Sequence, residues 1–559
     1  MFTQPKITFL NSSDTKNNFG IYKLSAQESS PKFNMIEYVL NIDRSGSTMD
    51  MCPDGKTKME HMHFTIKNMV DYFMKLKKEE KIKQYITIII FDHHPEIMCE
   101  RNEINDTFKK NLPKLLATIY PRGSTNIEKA LDLANITINK IKKIYSNNPT
   151  NNNDYGYYDD EQEMSDVYNN KVQISHIFMS DGHITVGSNN KDNLKNILKD
   201  SNCVNTFIGY GVDHDSSLMK TLGDIKKGEY YFIESLENAG MVYGEVLYNS
   251  LYEYLQDIHI KVTDGSIYNY KTNTWDTELH IPSLSSGRDR TWHIKTSENP
   301  ETPEKFEIAT YYSTVENTQH GIYQHTSDCK YPEGANINKD VEKYVWRQKT
   351  QEKLYEAEKY IKDTQENTLC KSKYTINPNF NLYHSPIAIH PPPPPEPLHM
   401  RSPATPPPSP TKLYPGALSK PHLQHNLTSI KIEKNKMEKN KEYIAKLDKF
   451  MEELKTYMKV NELEDDEFMK NLCDDIFICT KGFTSSKGEM YISTRALSQG
   501  RERAYNVRNL TELDSDDNDI IQNSNIFRSL SNHTMSEERT TAYASRGATN
   551  LMREVSGCL

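Results

Sequence analysis

Three oxygen-bearing side chains, Asp43, Ser45 and Ser47, occupy alternate positions in "EYVLNIDRSGSTMDM" (37–51), directly after a short apolar run. Asp, Ser and Gly often take a chain out of a strand, because their side chains bond nearby backbone and glycine relieves strain. A serine or aspartate here could equally cap the helix that follows. The same residues could instead ligate a hard cation such as Mg²⁺, which takes oxygen donors. One carboxylate and two hydroxyls make half of an octahedron, so the cation reading needs further oxygens elsewhere in the chain. Two stretches offer them. "PRGSTNIEKAL" puts Thr125 at the start of a helix candidate, and "MSDGH" puts Asp181 at the end of another apolar strand candidate.

The elements that must position these residues alternate from 35 to about 255. Strand candidates at 35–42, 84–91, 172–182, 204–211 and 229–234 are interleaved with helix candidates near 57–79 and 126–144. The run "QYITIIIF" is continuous and β-branched, as a strand buried on both faces should be. In the second helix Ile127, Ala130, Leu131, Ala134, Ile138 and Ile141 share one side. The alternation predicts an α/β fold: a doubly wound, mostly parallel, Rossmann-like sheet with helices on both faces. Ligands of such sheets sit outside the carboxyl ends of the strands, beside the topological switch point. Asp43, Thr125 and Asp181 are all expected at that edge.

With these residues in order, the segment resembles a von Willebrand factor type A domain, and the five residues resemble its metal-ion-dependent adhesion site. "GSTNIEKAL" is similar to the family's middle-loop helix start, and "FIGYGVDHDSSLMKTLGDIKKGEYYFIE" to its last two strands. The resemblance implies Asp43, Ser45 and Ser47 as first-loop ligands, Thr125 as the middle-loop ligand and Asp181 as the third-loop ligand. Arg44 falls on a variable position, and "MDMCPDGKTK" makes a long first loop. It further implies Mg²⁺ (or Mn²⁺) with one coordination position open, completed by a Glu or Asp carboxylate of a protein partner.

The rest of the chain divides by pattern. The expected order is an N-terminal extension (1–34), the α/β domain (35–256), a β-rich module (257–335), a helix (336–370), a Pro-rich linker (371–428), a helical C-terminal extension (429–510) and a disordered tail (511–559). The polar insertion 145–170 is expected to be disordered, at the edge of the sheet away from Asp43. "HPPPPPEP" suits a polyproline-reading domain as a second partner. The stretch 433–458 carries Tyr443, Leu447, Phe450, Met451, Leu454 and Met458 at helical spacing. "MYISTRALSQGRERAYNVRN" resembles the closing motif of a C-terminal extension that accompanies such domains in plant, fungal, amoebal and giant-virus proteins, with Ser498 and Arg503-Ala504 at its key positions. Some plant relatives add a RING zinc finger; this chain lacks the Cys/His pattern for one.

Composition narrows the function. The chain has 559 residues, 36 % hydrophobic and 26 % charged, with a net charge of −9, which argues against nucleic acid as a partner. Eight scattered cysteines without a CxxC pair point to a reducing compartment. No signal peptide or membrane-spanning run is evident, so the expectation is a cytoplasmic protein with no membrane partner, and the giant-virus resemblance allows a virus-encoded one. Phosphoryl transfer through an aspartyl phosphate would need an acidic residue two positions after Asp43, where Ser45 stands. His93, His94 and His183 have no nucleophile beside them in sequence. An enzyme is therefore not expected. The alternative to metal-dependent binding is an intracellular scaffold that binds through its Pro-rich linker and C-terminal helices.

Overall fold

The computed structural model describes residues 3–10, 18–52, 55–146, 171–211, 214–233, 239–298, 306–314, 323–328, 338–373, 420–483, 485, 488–505 and 541–556. It forms two units, Met1–Lys359 with Lys446–Leu559, and Tyr360–Ala445. The insertion 147–170 and the proline stretch 385–416 lie outside the described residues.

In the first unit, strands β1 (Thr3–Phe9) and β2 (Phe19–Ser25) precede an alternating series. It runs β3 (Met35–Asp43), α1 (Lys58–Glu80), β4 (Lys83–Phe91), β5 (Pro95–Glu103), α2 (Asp106–Leu116), α3 (Ile127–Ser146), β6 (Val172–Ser180), α4 (Lys191–Leu198), β7 (Val204–Tyr210), α5 (Ser216–Gly223), β8 (Gly228–Ile233) and α6 (Ala239–Leu251). The sheet order is β5-β4-β3-β6-β7-β8. Every neighbouring pair is parallel except β4 and β5, so β5 is an antiparallel edge strand. The expected α/β architecture is what the chain adopts. β3 is buried along its whole length, which only a central strand covered on both faces can be. Helix α1 starts at a capping box: Thr57 accepts from the Glu60 N–H while the Glu60 carboxylate accepts from that of Thr57. The apolar side foreseen for α3 is buried.

The β-rich part consists of β9 (Glu253–Thr263), β10 (Gly265–Asn269), β11 (Thr274–Asp276), β12 (Glu278–Ser285), β13 (Asp289–Thr296), β14 (Glu307–Thr314) and β15 (Tyr323–Asp328). These make two antiparallel sheets, β12-β9-β14-β15 and β1-β2-β13-β10-β11. The first 34 residues are therefore not a separate extension. β2 pairs with β13 from Ser25 opposite Asp289 to Phe19 opposite Lys295, which places Tyr22 and Leu24 in the core between the sheets. Tyr22 stacks on Trp292 and shares a 2.5 Å hydrogen bond with Thr310 of the facing sheet. The apolar burial gained across these sheets joins chain segments about 270 residues apart.

Among the described residues, helices α7 (Lys339–Lys373), α8 (Lys420–Val460), α9 (Glu467–Gly482), α10 (Gly488–Arg501) and α11 (Arg546–Val555) follow. Helix α8 begins at Lys420, inside the stretch expected to be linker. Within the second unit Tyr360 stacks on Tyr443 at 5.0 Å and donates to Asn440 at 3.1 Å.

The expectation of a wholly disordered tail is corrected by α11. Ala548, Leu551, Met552 and Val555 are buried on one side of it. That side packs on α6, where Gly240 and Gly244 bring the two backbones together: a Cβ on Gly244 would lie 2.4 Å from the Met552 Cα. Helices α1, α6 and α11 cover one face of the α/β sheet and α3, α4 and α5 the other. Because the obstructing atom is backbone, we expect Gly244→Ala to destabilise the protein by about 1–3 kcal/mol, the usual cost of overpacking. Thermal denaturation measures that loss, and hydrogen exchange should show faster exchange across Arg546–Val555; unchanged protection there would mean that α11 is not docked.

Candidate functional site

Register brings the site together. Asp43, the last residue of β3, lies opposite Phe91 of β4, and the pairing of Ile42 with Met179 sets it beside Ser180 at the end of β6. Asp181 follows one residue later. The chain leaves β3 toward β4 on one side and returns to β6 on the other, so both aspartates stand at the switch point of the sheet.

Asp43 is fully buried. Its Oδ1 accepts the Ser45 N–H at 2.8 Å and its Oδ2 accepts the Ser180 hydroxyl at 2.6 Å. The first of these bonds is the turn expected of Asp-x-Ser. It also holds the loop so that the Ser45 and Ser47 hydroxyls are 3.1 Å apart, and Ser47 donates to Asp181 Oδ1 at 2.8 Å. Thr125 is buried just ahead of α3, with its N–H on the Thr185 hydroxyl at 2.7 Å. Gly182 links the three loops: a Cβ there would meet the Ser47 hydroxyl at 3.3 Å and the Thr125 hydroxyl at 3.8 Å. All five residues singled out from the sequence thus lie at one edge, and Ser45, Ser47 and Asp181 form a continuous chain of hydrogen bonds.

Electrostatics set the demand. Burial first, and the neighbouring Asp181 second, raise the Asp43 carboxyl to about 7 against the hydrogen bonds from Ser180 and Ser45 that oppose the shift. A cation within the loops would relieve both effects. Lys58, at the start of α1, supplies one: its ammonium lies 2.9 Å from Asp181 Oδ2 and 3.2 Å from Asp50 Oδ2. Burial works against that charge, but the two aspartates outweigh it and hold its pKa above the ordinary value. These residues fit a hard divalent cation. The donors are all oxygens, Gly182 leaves open the space that a side chain would fill, and an ammonium already sits against one carboxylate.

A further aspartate secures the loops. Asp92, buried at the end of β4, binds Arg44 Nε at 3.1 Å and Arg122 Nε at 2.9 Å through Oδ2, and the His94 N–H at 2.8 Å through Oδ1. Arg44 also reaches Glu96 at 2.6 Å, and its carbonyl accepts the Arg122 N–H at 2.8 Å. The Gly46 N–H donates to the Gly123 carbonyl at 3.2 Å. Arg44, read from sequence as a variable position, ties the first loop to the middle loop. His93 contacts Asp92 at 2.9 Å and is exposed, as are His94 and His183. Asp92, Lys58, Ser180 and Gly182 escaped the sequence reading. The signal for Asp92 was an aspartate directly after an apolar strand, the pattern that also marked Asp43.

No family model matches the chain, and no curated protein matches it in sequence. Among solved structures it is similar to a von Willebrand factor type A protein from Catenulispora acidiphila, at 10 % identity and a TM-score of 0.43, over 64 % of this chain and 82 % of that one. It is similar also to the ArnB paralog VWA2 from Sulfolobus acidocaldarius, at 14 % identity and a TM-score of 0.33, over 66 % of this chain and 87 % of that one. Proximal thread matrix protein 1 from the mussel byssus, solved with a zinc-occupied MIDAS motif, is similar at 14 % identity and a TM-score of 0.28, over 44 % of this chain and 52 % of that one. The chain's own topology is a mostly parallel α/β sheet with helices on both faces, to which two antiparallel sheets and C-terminal helices are added.

The Asp92 network generates a stability prediction. Removing one partner of a buried ion pair strands the other, at a cost of about 3–5 kcal/mol. Arg122 is 43 % exposed and recovers solvation, so we expect Asp92→Ala to cost about 3 kcal/mol. Urea denaturation reads this directly, and a cost below about 1 kcal/mol would show that the loops are held by other contacts.

Proposed function

We propose that this chain is a metal-dependent protein-binding module and not an enzyme. Mg²⁺, or Mn²⁺ in its place, would be held by Asp43, Ser45, Ser47, Thr125 and Asp181, some of them through water. The observation that carries this reading is the convergence of the Ser47, Thr125 and Asp181 oxygens around Gly182, next to a buried Asp43. Only two of the five donors are carboxylates. A cation so held keeps much of its charge, and an incoming Glu or Asp carboxylate of a partner would supply the missing anionic oxygen. The same loops expose Met49, Met51, Tyr120 and Val186, which gives a carboxylate-bearing partner apolar surface to cover.

A scaffold function has one observation in its favour: the Lys58–Asp181 pair already neutralises part of the site, so the loops could persist without metal. The proline stretch that would serve such a scaffold lies outside the described residues. Among the described residues no helix is long and apolar enough to cross a membrane.

Calorimetry separates the readings. Asp43→Ala and Asp181→Ala should each abolish Mg²⁺ binding while circular dichroism stays native. Lys58→Met, which removes the competing ammonium, should tighten Mg²⁺ binding about tenfold, equivalent to roughly 1.4 kcal/mol. EDTA and Thr125→Ala should release partners captured through this edge. If both aspartate variants bind Mg²⁺ as the parent does, the site assignment fails; if every partner survives EDTA and Asp43→Ala together, the scaffold reading replaces it.

A further inference from the structure

A different set of ligands lies on the outer face of the β12-β9-β14-β15 sheet, in the β-rich part of the chain. His259 of β9 and His280 of β12 are directly opposite in the antiparallel register, and their rings lie 4.4 Å apart. Asp257 sits on the same face, two residues before His259. Both imidazoles turn Nε2 toward one carboxylate oxygen: His280 Nε2 is 2.8 Å and His259 Nε2 3.5 Å from Asp257 Oδ1. One donor atom from each of the three residues falls within 4.8 Å of the other two.

The backbone is shaped for this. Opposite β14, the register steps from Tyr311–His259 to Ser313–Gln256, so β9 carries an extra residue there. Asp257 occupies that bulge at φ 51°, a left-handed conformation that aspartate tolerates better than most side chains. The inward alternation of Ile258, Ile260 and Val262 stays in phase after the bulge, leaving Asp257 and His259 facing out. β12 is the edge of its sheet, and the three side chains are 38 to 51 % exposed, so an ion can reach them.

We propose that Asp257, His259 and His280 form a zinc site. Two imidazoles and one carboxylate suit Zn²⁺ and are a poor set for Mg²⁺, which prefers oxygen alone. In a tetrahedral site with bonds near 2.0–2.1 Å, neighbouring donors stand about 3.4 Å apart. The 2.8 and 3.5 Å separations bracket that figure, and all three donor atoms lie within 4.8 Å of one another, a range that side-chain rotation can close. The fourth position faces solvent. One group competes: the Lys226 ammonium is 3.5 Å from Asp257 Oδ2, but it is half exposed on a flexible stem and can swing into water. The neighbouring cations Lys271 and Arg501 are engaged by Asp224 and Glu229, each at 2.9 Å.

Zinc titration of the full chain tests this, with the oxygen-lined edge silenced in two independent ways: by excess Mg²⁺ on the parent protein, and by Asp43→Ala. One Zn²⁺ should bind under both conditions. His259→Ala and His280→Ala should each weaken it by at least about a hundredfold, beyond the 10–100-fold that loss of an outer-shell group costs. Lys226→Ala should tighten it. Cobalt in place of zinc should give the intense visible absorption of a four-coordinate ion, lost in both histidine variants. Surface histidines should leave folding intact, which circular dichroism checks. The proposal is overturned if the parent binds no Zn²⁺ in excess Mg²⁺, or if the His259→Ala/His280→Ala double variant binds it with unchanged affinity.

Discussion

Two buried carboxylates at the ends of adjacent parallel strands repel one another, and a positive charge between the loops relieves that repulsion. Asp43 and Asp181 are in that position because β3 and β6 are neighbours at the switch point. Burial first and Asp181 second push the Asp43 carboxyl up. The surrounding loops follow from it. Ser45 N–H and Ser180 hydroxyl solvate Asp43, Ser47 solvates Asp181, and Lys58 comes from a different element to lend its charge. Each of these donors is short or anchored, so the charge is met by fixed dipoles and not by mobile water. The loops themselves are then kept in place by Asp92, whose own charge is balanced by Arg44 and Arg122.

A comparable constraint fastens the C-terminal extension to the rest of the first unit. Glu502 accepts the Thr291 N–H of β13 at 3.2 Å and pairs with the buried Arg347 of α7 at 2.8 Å; Arg347 in turn donates to the Gln499 carbonyl at 2.6 Å. The Ala504 N–H donates to Glu245 of α6 at 2.8 Å, and Glu245 also pairs with Arg288 at 3.1 Å. Arg503 lies 3.9 Å above the Tyr231 ring and donates to the Tyr230 carbonyl. Buried ion pairs add little net stability against apolar packing, but breaking one is costly. A network of this kind therefore penalises misplacement more than it rewards closure, which suits a junction of β8, α6, the β13 sheet and α10. The Arg503-Ala504 pair recognised in the sequence is part of this clasp, and Ser498 closes the turn by accepting the Arg503 N–H on its carbonyl at 3.1 Å.

What could be read from the sequence was what depends on local pattern. Buried central strands show as apolar runs, α3 as an amphipathic period, and Asp43, Asp181 and Thr125 as polar residues at the ends of such elements. What escaped depends on pairing across long separations. Nothing in "FGIYKLS" says that it pairs with "DRTWHIKT" some 270 residues later, because an alternating strand fits any sheet with a free edge. Lys58 looks like one of many lysines until α1 aims it at Asp181. The short α11 stands at the end of a polar stretch, and its helical side has meaning only against Gly240 and Gly244. His259 and His280 are 21 positions apart, and only the register of β9 on β12 makes them neighbours.

Donor chemistry also sets apart the two proposed sites. At the edge of the parallel sheet the groups are carboxylates and hydroxyls on loops, hard donors with room for water, and hard cations lose little by binding there. On the outer face of the antiparallel sheet the groups are two imidazoles and a carboxylate placed by strand register, a nitrogen-rich set that favours borderline metals through donor type. Each site also carries its own tethered ammonium, Lys58 against Asp181 and Lys226 against Asp257. Lys58, largely buried at 2.9 Å from Asp181, neutralises part of that carboxylate's charge within the loops, whereas the half-exposed Lys226 pairs only loosely with Asp257 at 3.5 Å. If the proposed sites hold metal, both lysines would lower the affinity, and Lys58 would in addition keep the first-loop geometry ready, so that less binding energy is given up to ordering the ligands.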